Sequence, residues 1–176
     1  MGQKVSKIAS KRCLVLVHDI FEDSELLYPV IRMQEEGIEV VIAGEEKRTY
    51  LGKHGYPSKS AITFKEMEAG EFDGVFIPGG FSPDKLRRVP EVLKLVQEMD
   101  QAEKMIAFIC HGGWVPISAK ILKGRAATGT VAIKDDLENA GAIWKDEPVV
   151  IDGNLISSRT PKDLPPFGKA IVEALT

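Results

Sequence analysis

The feature that most constrains this chain is a set of short, unbroken apolar runs of strand length. Cys13-Leu14-Val15-Leu16-Val17 is the first, and Ile38–Ala43, Gly74–Pro78 and Met105–Cys110 are alike. A strand with one wet face alternates apolar and polar residues. A run that is apolar throughout belongs in a sheet covered on both faces, as parallel strands beneath helices are. Helical patterns lie between the runs. Leu26, Leu27, Val30, Ile31 and Met33 form a stripe closed by Gly37, with Pro29 placed to start or kink that helix. Val92, Leu93, Val96 and Met99 form a second stripe, opened by Pro90. The polar segment from Gly44 to Ser60 predicts a loop with a small hairpin. Past Gly124 the pattern predicts a helix around Asp135–Ala140, short strands around Val149–Ile151 and Leu155–Ser158, and a final amphipathic helix. Alternating strand and helix predicts an α/β sandwich with a largely parallel sheet.

At 176 residues with 44% apolar content, the chain suits one domain with a full core. Its first eleven residues carry Lys4, Lys7 and Lys11 and no acid, which reads as a basic tail before a single domain over residues 12–176. That tail lacks the apolar centre and cleavage site of a secretory signal, so a cytoplasmic address is expected. A net charge of −3, with both signs dispersed, argues against a nucleic-acid partner. No apolar run reaches the roughly 20 residues of a membrane span. Cys13 and Cys110 match neither a disulfide framework nor a zinc pattern, and no metal or organic cofactor is implied.

In parallel α/β sheets, ligands bind outside the carboxyl ends of the strands. The most informative strand end is Phe108-Ile109-Cys110-His111-Gly112-Gly113-Trp114, followed by a helix expected from Trp114 to Leu122. A buried strand entering a cysteine, then glycines, then a helix is the layout of a nucleophile elbow. The helix N-terminus would favour thiolate over thiol, and the His111 N–H would point at an oxyanion formed on an attacked carbonyl. Cys13 lies inside a strand and reads as core. The end of the first strand, His18-Asp19-Ile20-Phe21-Glu22-Asp23, carries acids that a helix dipole alone would explain. Pro78-Gly79-Gly80, before Phe81, Ser82, Pro83 and Asp84, serves either an anion or a tight turn.

Taken together, the stretches FEDSELLYP, EEGIEVVIA, GKHGY, EFDGVFIPGG, ICHGG, LKGR, IKDDLENAG and VVIDGNLISSRTP resemble the PfpI-type intracellular cysteine protease and deglycase family. That family belongs to the class I glutamine amidotransferase-like superfamily. The resemblance runs in order from about Cys13 to the C-terminus. It implies a flavodoxin-like three-layer sandwich, Cys110 as nucleophile and His111 as catalytic histidine. It also implies Glu22 as a protonated carboxyl against the sulfur, and the backbone N–H groups of Gly80 and His111 as oxyanion donors. It further implies a homo-oligomer, dimer or hexamer, in which Asp84 of one subunit reaches a neighbouring site. The archaeal branch has glutamate where Asp84 stands. Gly113-Trp114 replaces the usual proline after the CHG motif, so Trp114 is expected to wall the pocket, together with Tyr56 and His18.

No histidine follows His111, which removes the distal base of glutamine amidotransferases, and Phe108 stands where α/β-hydrolases need glycine. The leading expectation is a cysteine-dependent enzyme acting on small carbonyl compounds or peptides: a glutathione-independent glyoxalase or protein deglycase, with peptidase activity as a further outcome. The alternative is a redox stress sensor or chaperone that oxidises Cys110 without turnover. A scaffold that keeps the elbow without activity is the third reading.

Overall fold

The computed structural model describes residues 10–176, so the expected basic tail lies almost wholly outside the described residues. Each apolar run becomes a buried strand, within one residue of its expected bounds. In chain order the elements are β1 (Arg12–Leu16), α1 (Asp23–Glu35), β2 (Glu39–Gly44), β3 (Thr49–Leu51), β4 (Pro57–Lys59), β5 (Ile62–Thr63), β6 (Gly74–Ile77), α2 (Ser82–Leu86) and α3 (Pro90–Gln101). Then come β7 (Met105–Ile109), α4 (Trp114–Ser118), β8 (Ala126–Ala127), α5 (Lys134–Asn139), β9 (Ile143–Trp144), β10 (Val149–Asp152), β11 (Leu155–Ser158) and α6 (Leu164–Leu175).

Seven strands form one sheet in the order β10-β11-β7-β6-β1-β2-β5, parallel except for β10 against β11. Successive side chains on a strand point to opposite faces. Leu14, Leu16, Val75, Ile77, Ile106 and Phe108 therefore pack on one side with Val92, Val96 and Met99 of α3. Val15, Val17, Phe76, Ala107 and Ile109 pack on the other with Leu26 and Met33 of α1 and Phe167 and Ile171 of α6. Two separate cores flanking one sheet are the three layers expected of a flavodoxin-like sandwich.

Five elements differ from expectation. α1 begins at Asp23 and runs through Pro29. The proline removes one bond, to the Glu25 carbonyl, and the buried Leu26, Val30 and Met33 carry the helix past it. α4 stops at Ser118, before Leu122, because the chain reverses at Lys120 with φ +60°. The strands β5, β8 and β9 hold two residues each, too few for a periodic signal. The hairpin within residues 44–60 is β3–β4.

From β1 the chain moves one way to β2 and then returns to build β6 and β7 on the other side. The reversal opens a crevice at the carboxyl ends of β1 and β6, where doubly wound sheets hold ligands. The segments following β1, β6 and β7 meet there.

Candidate active site

Cys110 follows the last residue of β7 with φ +58°, left-handed backbone that a residue with a Cβ rarely adopts. A single 3-10 turn over Cys110–Gly113 leads into α4. This is the expected elbow. It lifts Sγ off the sheet and leaves the cysteine partly buried. Two backbone N–H groups, those of His111 and Gly80, donate toward the sulfur. Both of the N–H groups expected near the cysteine thus face its thiol.

Gly80 reaches that position because the segments after β1 and β6 are laced together. Glu22 N–H donates to the Gly79 carbonyl at 3.1 Å and Phe81 N–H to the Ile20 carbonyl at 2.8 Å. A side chain at Gly80 is excluded twice, by φ +81° and by a Cβ that would lie 2.6 Å from the Ile20 oxygen. A Cβ on Gly79 would run into Glu25 Oε2 and lie 2.8 Å from Cys110 Cβ. Bare backbone there lets a carboxyl and a thiol meet.

That carboxyl corrects the sequence reading, because it belongs to Glu25 and not to Glu22. Glu25 sits in the first turn of α1, fully buried, and lies against Cys110. Its Oε2 accepts the Gly79 N–H at 2.9 Å, while Oε1 has no hydrogen-bond partner among the described residues. Glu22 precedes the helix and turns outward, with Oε2 3.5 Å from Lys53 Nζ and Oε1 4.0 Å from His54 Nε2. The signal that separates the two is where the helix begins: Glu22 is the extended residue ahead of α1, whereas Glu25 lies inside its first turn. Glu25 shares the buried stripe of Leu26, Pro29, Val30 and Met33, so it is a carboxyl on an apolar face.

The electrostatics also depart from the helix-dipole expectation. α4 has only five residues, too few to supply a strong dipole, and burial dominates. Burial and the Glu25 charge push the Cys110 thiol up to about 12, against the pull of the His111 and Gly80 N–H groups. Burial pushes the Glu25 carboxyl up to about 8. Cys13, fully enclosed in β1, is driven far above the ordinary thiol range and is core, as expected.

His111 Nδ1 lies 3.3 Å from Cys110 Sγ. Burial, aided by the Lys53 ammonium, holds its pKa below the ordinary histidine value, which keeps the ring neutral at pH 7. Its ring meets Trp114 edge to face, centroids 5.0 Å apart. The indole is itself fixed: Nε1 donates to Asp136 Oδ2 at 2.9 Å, and the Arg87 guanidinium lies 5.4 Å from the ring centroid. Trp114 thus stands beside the histidine, as expected of a pocket wall.

The other candidates fall elsewhere. His18 does not join this group: its Nε2 meets Glu45 at 3.2 Å, its Nδ1 accepts the Asp19 N–H at 2.8 Å, and its ring packs on Tyr50. Both nitrogens are committed, so it closes the end of β1. Tyr56 lies in the turn following Gly52, half exposed, its N–H bound to Asp23 Oδ1 at 2.8 Å. Asp84, on α2, pairs with Arg88 at 2.6 Å, and among the described residues no hydrogen bond or ion pair joins it to His111 of its own chain. Lys53, unmarked in the sequence, is the cation nearest Glu22 and acts on both Glu25 and His111. Donor atoms of Glu22, Asp23 and His54 lie within 4.8 Å of one another. However, Asp23 already accepts the His54 and Tyr56 N–H groups, and Lys53 offsets Glu22. This cluster clasps a loop.

An elbow cysteine over a parallel sheet, faced by two backbone N–H groups and an enclosed carboxyl, defines a class of cysteine-centred α/β proteins. Residues 11–174 match the DJ-1/PfpI family, and the chain belongs to it. The Pyrococcus furiosus protein named Deglycase PfpI is 44% identical over 164 residues, 93% of this chain and 99% of that one. Among solved structures, a two-domain Anabaena variabilis protein with DJ-1/ThiJ/PfpI-like and ferritin-like domains matches at TM-score 0.92 and 42% identity, over 93% of this chain and 48% of that one. Drosophila melanogaster DJ-1beta matches at TM-score 0.89 and 26% identity, over 94% of this chain and 90% of that one. No helix among the described residues is long and apolar enough to cross a membrane.

Proposed function

We propose that this protein is a cysteine-dependent enzyme acting on reactive carbonyl compounds and their protein adducts, a glutathione-independent glyoxalase or deglycase. The observation that carries the reading is the enclosed Glu25 carboxyl against Cys110, with the Gly80 and His111 N–H groups facing the same sulfur. The deglycase name of the Pyrococcus furiosus relative agrees with it.

Glu25 and Cys110 share one enclosed site, so the charge on either raises the other and their protons come off as those of a pair. The Glu25 effects that raise the thiol exist only when Glu25 is ionised. With Glu25 protonated, Oε1–H becomes a third donor to the sulfur. A charge on sulfur then has three donors, and a charge on the carboxylate has one good donor and one oxygen without a polar partner. The larger sulfur anion also suffers less from burial. The first proton lost from the pair therefore leaves the thiol.

With methylglyoxal, the thiolate adds to the aldehyde carbon, and the Gly80 and His111 amides hold the resulting oxyanion. Neutral His111 moves the aldehyde hydrogen, as a proton, to the neighbouring ketone carbon through an enediol. The aldehyde carbon is thereby oxidised to a thioester and the ketone carbon reduced to an alcohol, so no external redox partner enters. Water cleaves the thioester, which releases lactate and restores the thiol. Lactate formation from methylglyoxal tests the reading. Cys110→Ala, folded by circular dichroism, is expected to lose about a thousand-fold or more in rate. Turnover retained in that variant would overturn the assignment.

A further inference from the structure

The carboxyl end of the sheet holds a second concavity, on the side of Cys110 away from Glu25 and Gly80. It is a groove of about 740 Å³ between the segment Gly129–Lys134 and the turn following β11. Both walls spring from residues that touch the elbow. A Cβ on Gly129 would lie 3.1 Å from the Cys110 carbonyl oxygen. Ser158, the last residue of β11, pairs in register with Ile109, the residue before Cys110.

The groove far exceeds what a three-carbon aldehyde fills and falls within the range of sites that enclose larger ligands. Its surface combines apolar side chains with cations. Val131 is 78% exposed, and Trp144 supplies an aromatic wall. Arg159 is neutralised by Asp146 at 2.8 Å and Asp163 at 2.9 Å. Lys134 has its nearest carboxylate, Glu138, only at 4.0 Å, and Lys162 makes no ion pair among the described residues. A groove with apolar walls and two ammonium groups, Lys162 without an ion pair and Lys134 held only by an exposed contact at 4.0 Å, on a protein of net charge −3, complements a segment carrying its own carboxylates.

We propose that this groove seats the polypeptide part of an acidic, carbonyl-modified peptide or protein segment. Flanking Asp or Glu residues meet Lys134 and Lys162, and the modified side chain extends to the elbow. The proposal rests on the carbonyl-enzyme reading for the chemistry and adds where a protein adduct docks and the acidic flanks it carries. A peptide is favoured over a nucleic acid because two lysines beside apolar walls do not track a phosphate backbone.

The test separates docking from turnover. Fluorescence anisotropy of two labelled, unmodified peptides, alike except for Asp or Lys flanks, is measured on the whole protein and on a Lys134→Glu/Lys162→Glu variant at about 50 mM salt. The Asp peptide is expected to bind about tenfold tighter than the Lys peptide, and the variant to lose that preference while turning over methylglyoxal at the parent rate. Equal binding of the two peptides, a preference retained in the variant, or displacement of the Asp peptide by a thymidine oligonucleotide at lower concentration would overturn it. A protein that binds the Asp peptide selectively yet makes no lactate would instead refute the chemical reading and leave the groove assignment standing.

Discussion

One proton shared between Glu25 and Cys110 decides what the elbow can do. Burial raises the Glu25 carboxyl from 4.5 to about 8, so between those values the native state holds a proton that the unfolded chain has released. Its contribution to stability is therefore complete below about pH 4.5 and declines as pH rises, by roughly 3 kcal/mol by pH 7. Glu25→Gln keeps the shape and removes the titration. Denaturant melts at about pH 5 and about pH 7 are expected to show the parent losing roughly 2 kcal/mol or a little more relative to this variant. Parallel pH dependences would contradict the buried acid. Turnover in Glu25→Gln is expected to fall by about a hundredfold, whereas Glu22→Gln, on the solvent side with Lys53, changes it by less than about threefold. The elbow cysteine was legible in the sequence because His-Gly-Gly after a buried strand admits few other turns. Its neighbouring carboxyl lies three residues beyond the expected Glu22, because the sequence does not mark where α1 begins and so which acid enters the buried first turn.

At the scale of elements, the site depends on turns holding side chains that no periodicity marks. Strands β1, β6 and β7 were readable because burial on both faces leaves an unmistakable apolar run. The lacing of residues 20–22 to 79–81 was not, because it consists of backbone bonds between segments distant in sequence. Ile20 shows what that lacing demands: a β-branched residue at φ +65°, half exposed, kept there by its bonds to Leu51 and Phe81. α4 contributes through Trp114, which fixes the His111 ring from a position anchored by Asp136 and Arg87. A protonated imidazole against an indole quenches its emission, so Trp114 reports on His111. The quenching transition is expected below pH 6.5 and to vanish in His111→Asn. Trp114→Ala should lower kcat by about tenfold with little change in KM, as expected for a residue that orients the base. A transition unaffected by His111→Asn would remove Trp114 from this role.

At the scale of the molecule, the carboxyl end of the sheet carries the candidate site, and its rim exposes a group of apolar side chains. Ile20, Leu51 and Phe81 are 50%, 53% and 61% exposed and joined through their backbones, three residues from Asp84. We propose that this rim packs against another copy of the chain, turning Asp84 toward the His111 of that copy. Light scattering is then expected to give a dimer or hexamer of the 19.3 kDa chain, dissociated by Phe81→Glu. A monomer in the parent protein would contradict that assembly. The account as a whole turns on where the first proton of the Cys110–Glu25 pair comes from. Ultraviolet titration of thiolate absorbance, read as the difference between the protein and Cys110→Ala, measures it directly. The prediction is a rise well below the value of about 12 to which burial and an ionised Glu25 push the thiol, with sulfur ionising while Glu25 keeps its proton. Absorbance that stays flat until near pH 12 would place the first charge on the carboxylate and contradict the proposed nucleophile.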